Sequence, residues 1–359
     1  MLDVILEEVW WKRGSTTGGP VSLRIPRSSH TGLAGPSSGG KSSILGLIDG
    51  SVAVTRGRVL LGTRDVTSLR PAGRPVLHSA HTEVPRERWS VRRVLVAAAR
   101  QRKGLDSADR LEEIGKAAKE WGVSALLERR VGELSSHEQL RVRLAQIILL
   151  RPAVLAAERL FASASPGERE ELEDLFWRIQ RAEGVTVIHE IARTEDIGWC
   201  DRIALIDDGS VLTEGLPQEV WSTVATPSMA RSLGPGSAIP VRVAGSEVDS
   251  PIGSWSLPSG AAAFEGSGIA IIRPWALRIA SEGEESDFIF GIDEARFLGS
   301  RWELSGLITG GTILKAWVDP RERVWKGRMV PMRIDPAAVE LFAGGENAPG
   351  PRPDPSGTI

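Results

Sequence analysis

The spacing of apolar residues along the chain predicts two parts of different character. In the first part, short apolar runs alternate with longer segments in which apolar residues recur every three or four positions. Buried strands alternating with amphipathic helices are typical of an α/β fold with a mainly parallel sheet. The predicted strands are 4–9, 21–25, 58–61, 154–157 and 185–188, and the predicted helices are 91–102, 108–120, 140–150 and 168–183.

The second part begins near the Gly- and Pro-rich run 233–236. Beyond it, short apolar runs separated by Gly, Ser and Pro indicate a small β-barrel-like domain. We therefore expect one domain at residues 1–233 and a second at 234–342. The tail 343–359 is rich in Gly and Pro and is predicted to be disordered. The predicted strands of the second domain are 241–243, 268–272, 288–292, 313–318 and 329–334.

Bulk composition narrows the possible partners and surroundings. A length of 359 residues exceeds a single ordinary core and agrees with two domains. With 44 basic and 46 acidic residues, the net charge of −2 gives no electrostatic case for a nucleic-acid partner. Cys200 is the only cysteine, which excludes a disulfide framework and fits a reducing cytosol. No apolar run approaches the ~20 residues of a membrane-spanning helix, so we expect membrane association only through a partner.

The run GPSSGGKS is the most specific motif in the chain, and it comprises Gly35, Pro36, Ser37, Ser38, Gly39, Gly40, Lys41 and Ser42. It reads G-x-x-x-x-G-K-S, and Ser43 begins the apolar segment of a following helix. Backbone N–H groups of such a loop surround phosphate oxygens, the lysine contacts the outer phosphates and the serine hydroxyl can bind Mg²⁺. The motif predicts a site for ATP and Mg²⁺.

Further segments resemble ATP-binding subunits of ABC transporters. GELSSHEQLRVRLAQIILLRP, residues 132–152, resembles the ABC signature region, and DRIALIDDGSVLTEGLPQEVW, residues 201–221, resembles the end of an ABC nucleotide-binding domain. GIAIIRPWALRI, ARFLGS and DPAAVELF resemble the accessory domain of importer subunits. The resemblance covers about residues 3–342. It implies an α/β P-loop NTPase nucleotide-binding domain of ABC type with a helical insert at about 84–145, followed by a β-barrel-like OB or TOBE domain.

The segment RPAVLAAERLFASASP, residues 151–166, resembles the Walker B region of that family, with one change. Glu158 takes the position of the Mg²⁺-binding aspartate, and Arg159 takes that of the glutamate that activates water. A guanidinium cannot accept a proton. The resemblance therefore implies ATP binding with poor hydrolysis at this chain's own site. Shifting the alignment by one residue would instead make Glu158 the base and leave Ala157 at the metal position.

The signature turn also departs from the family pattern LSGGQ. Ser135 keeps the hydroxyl that contacts ATP bound to the opposing subunit, whereas Ser136 and His137 replace the two glycines and Glu138 replaces the glutamine. The resemblance implies a weakened signature that still contacts ATP in trans. The alternative is that residues 134–139 form no more than a capped helix start.

Three other family positions are less clearly filled. His81 takes the position of the Mg²⁺-sensing glutamine, and Arg13 takes that of the aromatic residue that stacks on adenine. Ala192 falls on the switch histidine, although His189, three residues earlier, is a possible substitute. The neighbouring pair Trp10–Trp11 is expected to belong to the core of the first strand.

The resemblance implies the ATP-binding subunit of an importer, held on the inner face of the plasma membrane by transmembrane permease subunits. Its expected partners include a second, consensus ATPase subunit and, indirectly, an extracytoplasmic solute-binding protein. A homodimer with little turnover is the alternative within this class. A regulatory protein that uses ATP as a structural ligand, and an active ATPase that uses Glu158 or His189 in unusual roles, are the other readings. The C-terminal segments favour the ferric-iron, polyamine and thiamine branch over the sugar branch.

Overall fold

A computed structural model describes residues 1–81, 87–102, 104, 106–222, 226–257, 264–309 and 311–344. The chain forms two compact units, Met1–Ser222 and Thr223–Ile359. The expected boundary after residue 233 thus falls inside the second unit. The reason is that the helix Pro227–Leu233 packs there, where Ala230 lies against Ile271 and Phe342. Residues 345–359 of the tail predicted to be disordered lie outside the described part of the chain.

The first unit contains the alternating strands and helices that the apolar pattern predicts. Its elements are β1 (Val4–Arg13), β2 (Thr16–Ile25), β3 (His30–Ala34), α1 (Lys41–Asp49), β4 (Ala53–Leu61), β5 (Arg64–Asp65), β6 (Val76–His78), α2 (Val91–Gln101), α3 (Ser107–Glu120), α4 (Ser136–Leu150), β7 (Val154–Ala157), α5 (Pro166–Glu183), β8 (Thr186–Glu190), β9 (Arg202–Asp207), β10 (Ser210–Gly215) and α6 (Pro217–Ser222).

Two sheets organise this unit. The larger has the strand order β10-β9-β3-β8-β7-β6, and all its pairings are parallel except that of β10 with β9. The smaller sheet, β2-β1-β4-β5, is antiparallel. One apolar core joins α1 to strands of both sheets, and a second joins α2, α3, α4 and α5 to β7 and β8. The predicted α/β class is confirmed, and the carboxyl ends of the parallel strands meet at one edge, where ligands bind in such folds.

The second unit is rich in β-strands. Its elements are α7 (Pro227–Leu233), β11 (Ser237–Ala244), β12 (Glu247–Ser250), β13 (Gly253–Ser256), β14 (Gly266–Ile272), β15 (Leu277–Ile279), β16 (Phe288–Gly291), β17 (Glu294–Phe297), β18 (Trp302–Leu307), β19 (Ile313–Val318), β20 (Met329–Ile334) and β21 (Val339–Ala343). Within the described residues they form three antiparallel sheets, β13-β12-β11-β14-β21, β15-β20-β16 and β17-β18-β19, around a common apolar core. Across the described residues of both units, no helix is long and apolar enough to cross a membrane.

Candidate functional site: a phosphate-binding loop and its carboxylates

The loop between β3 and α1 carries the GPSSGGKS motif, and α1 begins at Lys41. The loop lies against the turn between β9 and β10. Gly35 has a φ of +143°, and a Cβ atom there would lie 2.0 Å from the carbonyl oxygen of Ile206. The Gly209 amide in the turn donates a hydrogen bond to the Gly39 carbonyl, with an N–O distance of 2.8 Å. The phosphate-binding loop is therefore held in shape from behind by backbone contacts that only glycine at position 35 permits.

A cavity of about 290 Å³ lies over this loop. Arg13, which is predicted to stack on adenine, lines this cavity together with residues of the loop. Trp11 is 3% exposed and donates from Nε1 to the Gly209 carbonyl at 3.2 Å, so it belongs to the core, whereas Trp10 is 41% exposed. The lining residues are Trp11, Arg13, Thr16, Thr17, Ser37, Ser38, Gly40, Lys41, Ser42, Ser43, Asp208 and Gly209.

Lys41 is the first residue of α1, and its ammonium is held by oxygen atoms of the phosphate-binding loop and of β8. Its Nζ donates to the carbonyl oxygens of Gly35 and Pro36, each at 2.8 Å, and lies 3.8 Å from Oε1 of Glu190. Burial lowers the pKa of Lys41, and the Glu190 carboxylate partly opposes that shift. A positive charge is therefore fixed in the loop at the place where outer phosphate oxygens bind in P-loop proteins.

Ser42 and Glu158 provide oxygen atoms suited to a Mg²⁺ ion. The Ser42 hydroxyl donates to Oε1 of Glu158 at 2.8 Å, and the Glu158 backbone is fixed by Ser79, whose Oγ accepts from the Glu158 amide at 2.8 Å. Mg²⁺ is usually held by one or two protein oxygens together with phosphate oxygens and water. Glu158 follows β7, so it stands at the carboxyl edge of the parallel sheet beside the P-loop. The hydroxyl and carboxylate oxygens of this pair are of the kind that fits Mg²⁺.

His78, which the sequence analysis did not single out, bridges Glu158 to a second carboxylate. Its Nε2 lies 3.0 Å from Oε2 of Glu158, and its Nδ1 lies 2.7 Å from Oδ2 of Asp49. Burial alone would lower the pKa of His78, but the two carboxylates outweigh it and raise that pKa. The side chain of His81, the predicted Mg²⁺ sensor, lies outside the described residues. No pattern marked His78, because β6 spans only three residues and shows no periodicity.

Arg159 stands directly after Glu158, with its side chain exposed and a φ of +44°. Its guanidinium offers donors and no proton acceptor. The carboxylate near Lys41 comes instead from Glu190, at the end of β8. The pKa of Glu190 is raised, because burial, together with the Glu158 carboxylate, outweighs the opposing effects of Lys41 and Arg159. Sequence reasoning gave Glu190 no role of its own, because the residue entered only as the acidic neighbour in the His189–Glu190 pair.

His189 is placed away from Lys41, which does not support the alternative in which it acts on the nucleotide. Adjacent strand residues point to opposite faces of a sheet, and Glu190 is the one that faces Lys41. His189 is 3% exposed, and its ring packs against Trp177 with a centroid distance of 5.0 Å. Ala192, at the switch position, has no imidazole, and its amide donates to Oδ2 of Asp196 at 3.1 Å.

The signature turn forms the N-terminus of α4. Ser135 is the N-cap, and its Oγ accepts from the Glu138 amide at 3.2 Å. The Glu138 carboxylate accepts from the Ser135 amide at 2.8 Å, which completes a capping box. Hydrogen bonds from Ser135 lower the pKa of Glu138. Ser136 is exposed, and His137 is half-buried with Nδ1 3.2 Å from a carboxylate oxygen of Glu168. Thus the Glu138 carboxylate turns back onto its own helix, and the capped helix start that both interpretations allow is present.

Removing the charge of Glu190 is expected to strengthen ATP binding. The carboxylate is 3.8 Å from Lys41, so a γ-phosphate bound to Lys41 would meet a second negative charge. At separations of roughly 7 Å and intermediate screening, that repulsion amounts to about 1 kcal/mol, or about fivefold in affinity. Glu190→Gln should therefore raise ATP affinity about fivefold and change ADP affinity less, measured by calorimetry with Mg²⁺. The exposed Glu128→Gln is the control, and equal effects on ATP and ADP would contradict the explanation.

Comparison with known proteins places this site in a family. The family model for ABC transporters matches residues 19–158. A thiamine import ATP-binding protein, ThiQ, of Chelativorans sp. (strain BNC1) is 31% identical over 215 residues, which are 59% of this chain and 86% of the relative. The chain therefore belongs to the ATP-binding proteins of ABC transporters, and nucleotide binding follows from its ATP-binding domain.

Other relatives extend the similarity toward the C-terminus. An Fe(3+) ions import ATP-binding protein, FbpC, of Streptomyces avermitilis is 29% identical and covers 74% of this chain and 76% of the relative. An sn-glycerol-3-phosphate import ATP-binding protein, UgpC, of Rhizobium meliloti is 26% identical over 89% of this chain and 90% of the relative. A nucleotide-free ATP-binding cassette from an ABC transporter shares the fold, with a TM-score of 0.53 at 21% identity over 64% of this chain and 98% of that structure.

Proposed function

We propose that this chain is the ATP-binding subunit of an ABC importer, attached to the inner face of the plasma membrane by permease subunits. The support is that relatives spanning most of the chain are import ATP-binding proteins. Their named solutes differ, so the proposal concerns solute import as a class. The β-rich second unit would be the OB or TOBE-like accessory domain of such subunits, in line with its antiparallel sheets.

The proposal that this site binds Mg-ATP rests on one observation. The hydroxyl of Ser42, which follows Lys41 in the sequence, donates a hydrogen bond to the Glu158 carboxylate. Lys41 and the loop amides would bind the phosphates, Arg13 would cover the base, and Ser42 with Glu158 would hold Mg²⁺. A bound Mg²⁺ would screen charge on the phosphate oxygens. Arg159 supplies no proton acceptor for an attacking water, and Ala192 supplies no imidazole. The proposed site therefore binds ATP and hydrolyses it slowly.

A subunit that hydrolyses ATP slowly would need a partner subunit with a complete catalytic site to drive a transport cycle. We infer a pair with a second, consensus nucleotide-binding subunit, in which each ATP lies between the P-loop of one chain and the signature of the other. Ser135 is exposed at the N-terminus of α4, where the helix dipole favours an anion. It would complete the partner's site, which would then supply most of the hydrolysis.

Purification of the tagged full-length chain from its own cells in mild detergent tests this assignment. The expected result is a complex with two membrane-spanning permease subunits and a second ATP-binding chain, identified by mass spectrometry. Recovery of the chain alone, or as a homodimer without permease, would contradict the importer proposal.

Substitution of Ser135 is expected to slow the assembled complex without affecting this chain's own nucleotide site. Ser135→Ala removes one hydroxyl that would donate to the γ-phosphate on the partner, and a lost donor of this kind costs at least about tenfold in turnover. Steady-state hydrolysis by the complex should fall by that factor, while ATP binding to the isolated chain stays unchanged. Ser135→Arg should be more severe because of its bulk.

The matched control removes a helix cap elsewhere in the same unit. Asp106 caps α3 by accepting hydrogen bonds at 2.8 Å from the amides of Ala108 and Asp109. Asp106→Ala loses a comparable cap and should leave turnover unchanged. If Asp106→Ala and Ser135→Ala slow the complex equally, the effect of Ser135 is structural and the role in trans is wrong.

A further inference from the structure

Three side chains with metal-ligating atoms meet inside the first unit. His30 begins β3, His189 lies on β8, and Cys200 lies just before β9. One ligating atom from each residue lies within 4.8 Å of those from the other two. Their exposed fractions are 7%, 3% and 9%, so all three are buried. The proposed nucleotide site uses none of them.

The sheet topology brings these residues together from distant parts of the sequence. β3 lies between β8 and β9, and Gly32 of β3 is in register with His189. His30 and Gly32 share one face of β3 because side chains alternate along a strand. A Cβ atom on Gly32 would lie 2.7 Å from the Cys200 sulfur. The absent side chain at Gly32 thus leaves the space that the sulfur occupies beside the two imidazoles.

The two imidazoles carry ring nitrogens without hydrogen-bond partners. Among the described residues, Nε2 of His30 and Nδ1 of His189 are buried and unpaired. Leaving a buried polar atom without a hydrogen-bond partner is destabilising, so such atoms are uncommon in native proteins. The Cys200 sulfur has a weak contact with the Asp196 carbonyl at 3.6 Å. Burial lowers the pKa of both histidines.

Aromatic packing accounts for only part of this arrangement. The ring centroid of Trp177 lies 4.4 Å from that of His30 and 5.0 Å from that of His189. These tilted ring contacts stabilise the rings but supply no partner for the unpaired nitrogens. A small cavity of about 20 Å³, lined by His30 and by the exposed residues Arg181 and Asp201, leads from the surface to His30.

We propose that His30, His189 and Cys200 form a buried site for a zinc ion. Two imidazoles and one thiolate match the nitrogen and sulfur ligands that Zn²⁺ prefers, and a water molecule can complete four-coordination. Cys200 is a thiol in the metal-free chain, because burial raises its pKa to about 12. Zinc binding therefore forms the Zn–S bond as the thiol proton is released to solvent. The ion would tie β3, which leads into the P-loop, to β8, which carries Glu190.

Titration of the metal-free full-length chain with Co²⁺, without nucleotide, tests the site directly. Cobalt in an N₂S set gives a thiolate-to-metal charge-transfer band in the near ultraviolet and visible bands typical of tetrahedral coordination. We expect both signals to saturate at one equivalent and to be abolished by added Zn²⁺. Absence of the charge-transfer band in the folded wild-type chain would overturn the proposal, and this result needs no variant.

Variants then locate the ion. Cys200→Ser and His189→Gln should each weaken Zn²⁺ binding at least about 100-fold, since a lost ligand costs no less than a lost supporting residue. His137→Gln, a histidine outside the cluster, should bind as the wild type does. Zn²⁺ should raise the unfolding temperature of the wild type and of His137→Gln but not of the other two. Unchanged zinc affinity in Cys200→Ser would place the metal elsewhere and overturn the assignment.

Discussion

Arg159→Glu is expected to raise ATP hydrolysis at this chain's own site by at least about tenfold. A positioned general base contributes about 10²–10⁴ to the rate, and Arg159 immediately follows Glu158, which is bonded to Ser42. If Ala192 takes the switch position, as the sequence predicts, the absence of an imidazole there keeps the gain toward the lower end of that range. Single-turnover hydrolysis in the assembled complex, with the partner's own Walker B glutamate changed to glutamine, isolates this site.

Two companion variants separate the carboxylate from the charge change. Arg159→Gln removes the positive charge without adding a proton acceptor, so it should leave turnover near the wild-type level. Arg159→Glu combined with Glu190→Gln restores the number of carboxylates near Lys41 and should hydrolyse at least as fast as Arg159→Glu alone. If Arg159→Gln accelerates hydrolysis as much as Arg159→Glu, the guanidinium is inhibitory and no base is missing.

Lys41→Ala is expected to weaken Mg-ATP binding about 10- to 100-fold. Hydrogen bonds to charged groups contribute about 1.5–3 kcal/mol, and each 1.4 kcal/mol is tenfold in affinity. The Lys41 ammonium is the charge that the structure fixes within the phosphate-binding loop, bonded to the carbonyls of Gly35 and Pro36. Isothermal calorimetry on the isolated chain measures the change.

Lys41→Ala also leaves Glu190 without its positive neighbour. The measured loss of ATP affinity would then combine the lost contact between Lys41 and the phosphates with repulsion between Glu190 and the phosphates. Lys41→Ala with Glu190→Gln removes both charges and should still bind ATP more weakly than Glu190→Gln alone. Lys116→Ala, at an exposed position on α3, is the surface control. Equal ATP affinity in Glu190→Gln and in the double variant would show that Lys41 does not contact the nucleotide.

Elements with a strong local signal were predictable from sequence. The strand Val154–Ala157 was predicted with its observed bounds, because it is an uninterrupted apolar run between a proline and a charged pair. The strand Ile313–Val318 was also predicted as it is observed. By contrast, β3 was not predicted, although all five of its residues are buried. A strand buried on both faces shows no alternation and usually reads as an apolar run, but His30, Thr31 and Gly32 interrupt that run in the sequence HTGLA.

Some residues of the candidate site could likewise be predicted from the sequence, and others could not. The P-loop could be predicted because its function fixes consecutive residues in a set order. Glu190 and His78 could not, since their roles depend on which side chains the strand ends bring together across the sheet. The reciprocal bonds of Ser135 and Glu138 occupy an intermediate position: the spacing S-x-x-E is a local signal for a capping box. Only the structure shows that the Glu138 carboxylate accepts from both the amide and the hydroxyl of Ser135.

The turn between β9 and β10 makes the phosphate-binding loop sensitive to a substitution outside the loop itself. Gly209 has a φ of +71°, and a Cβ atom there would lie 2.8 Å from the Trp11 ring and 3.0 Å from the Gly18 Cα. Because the Gly209 amide also bonds the Gly39 carbonyl, any side chain at this position would displace a support on which the loop's curvature depends. Loss of nucleotide binding can therefore arise from one added methyl group in the neighbouring turn, at a residue outside the phosphate-binding loop.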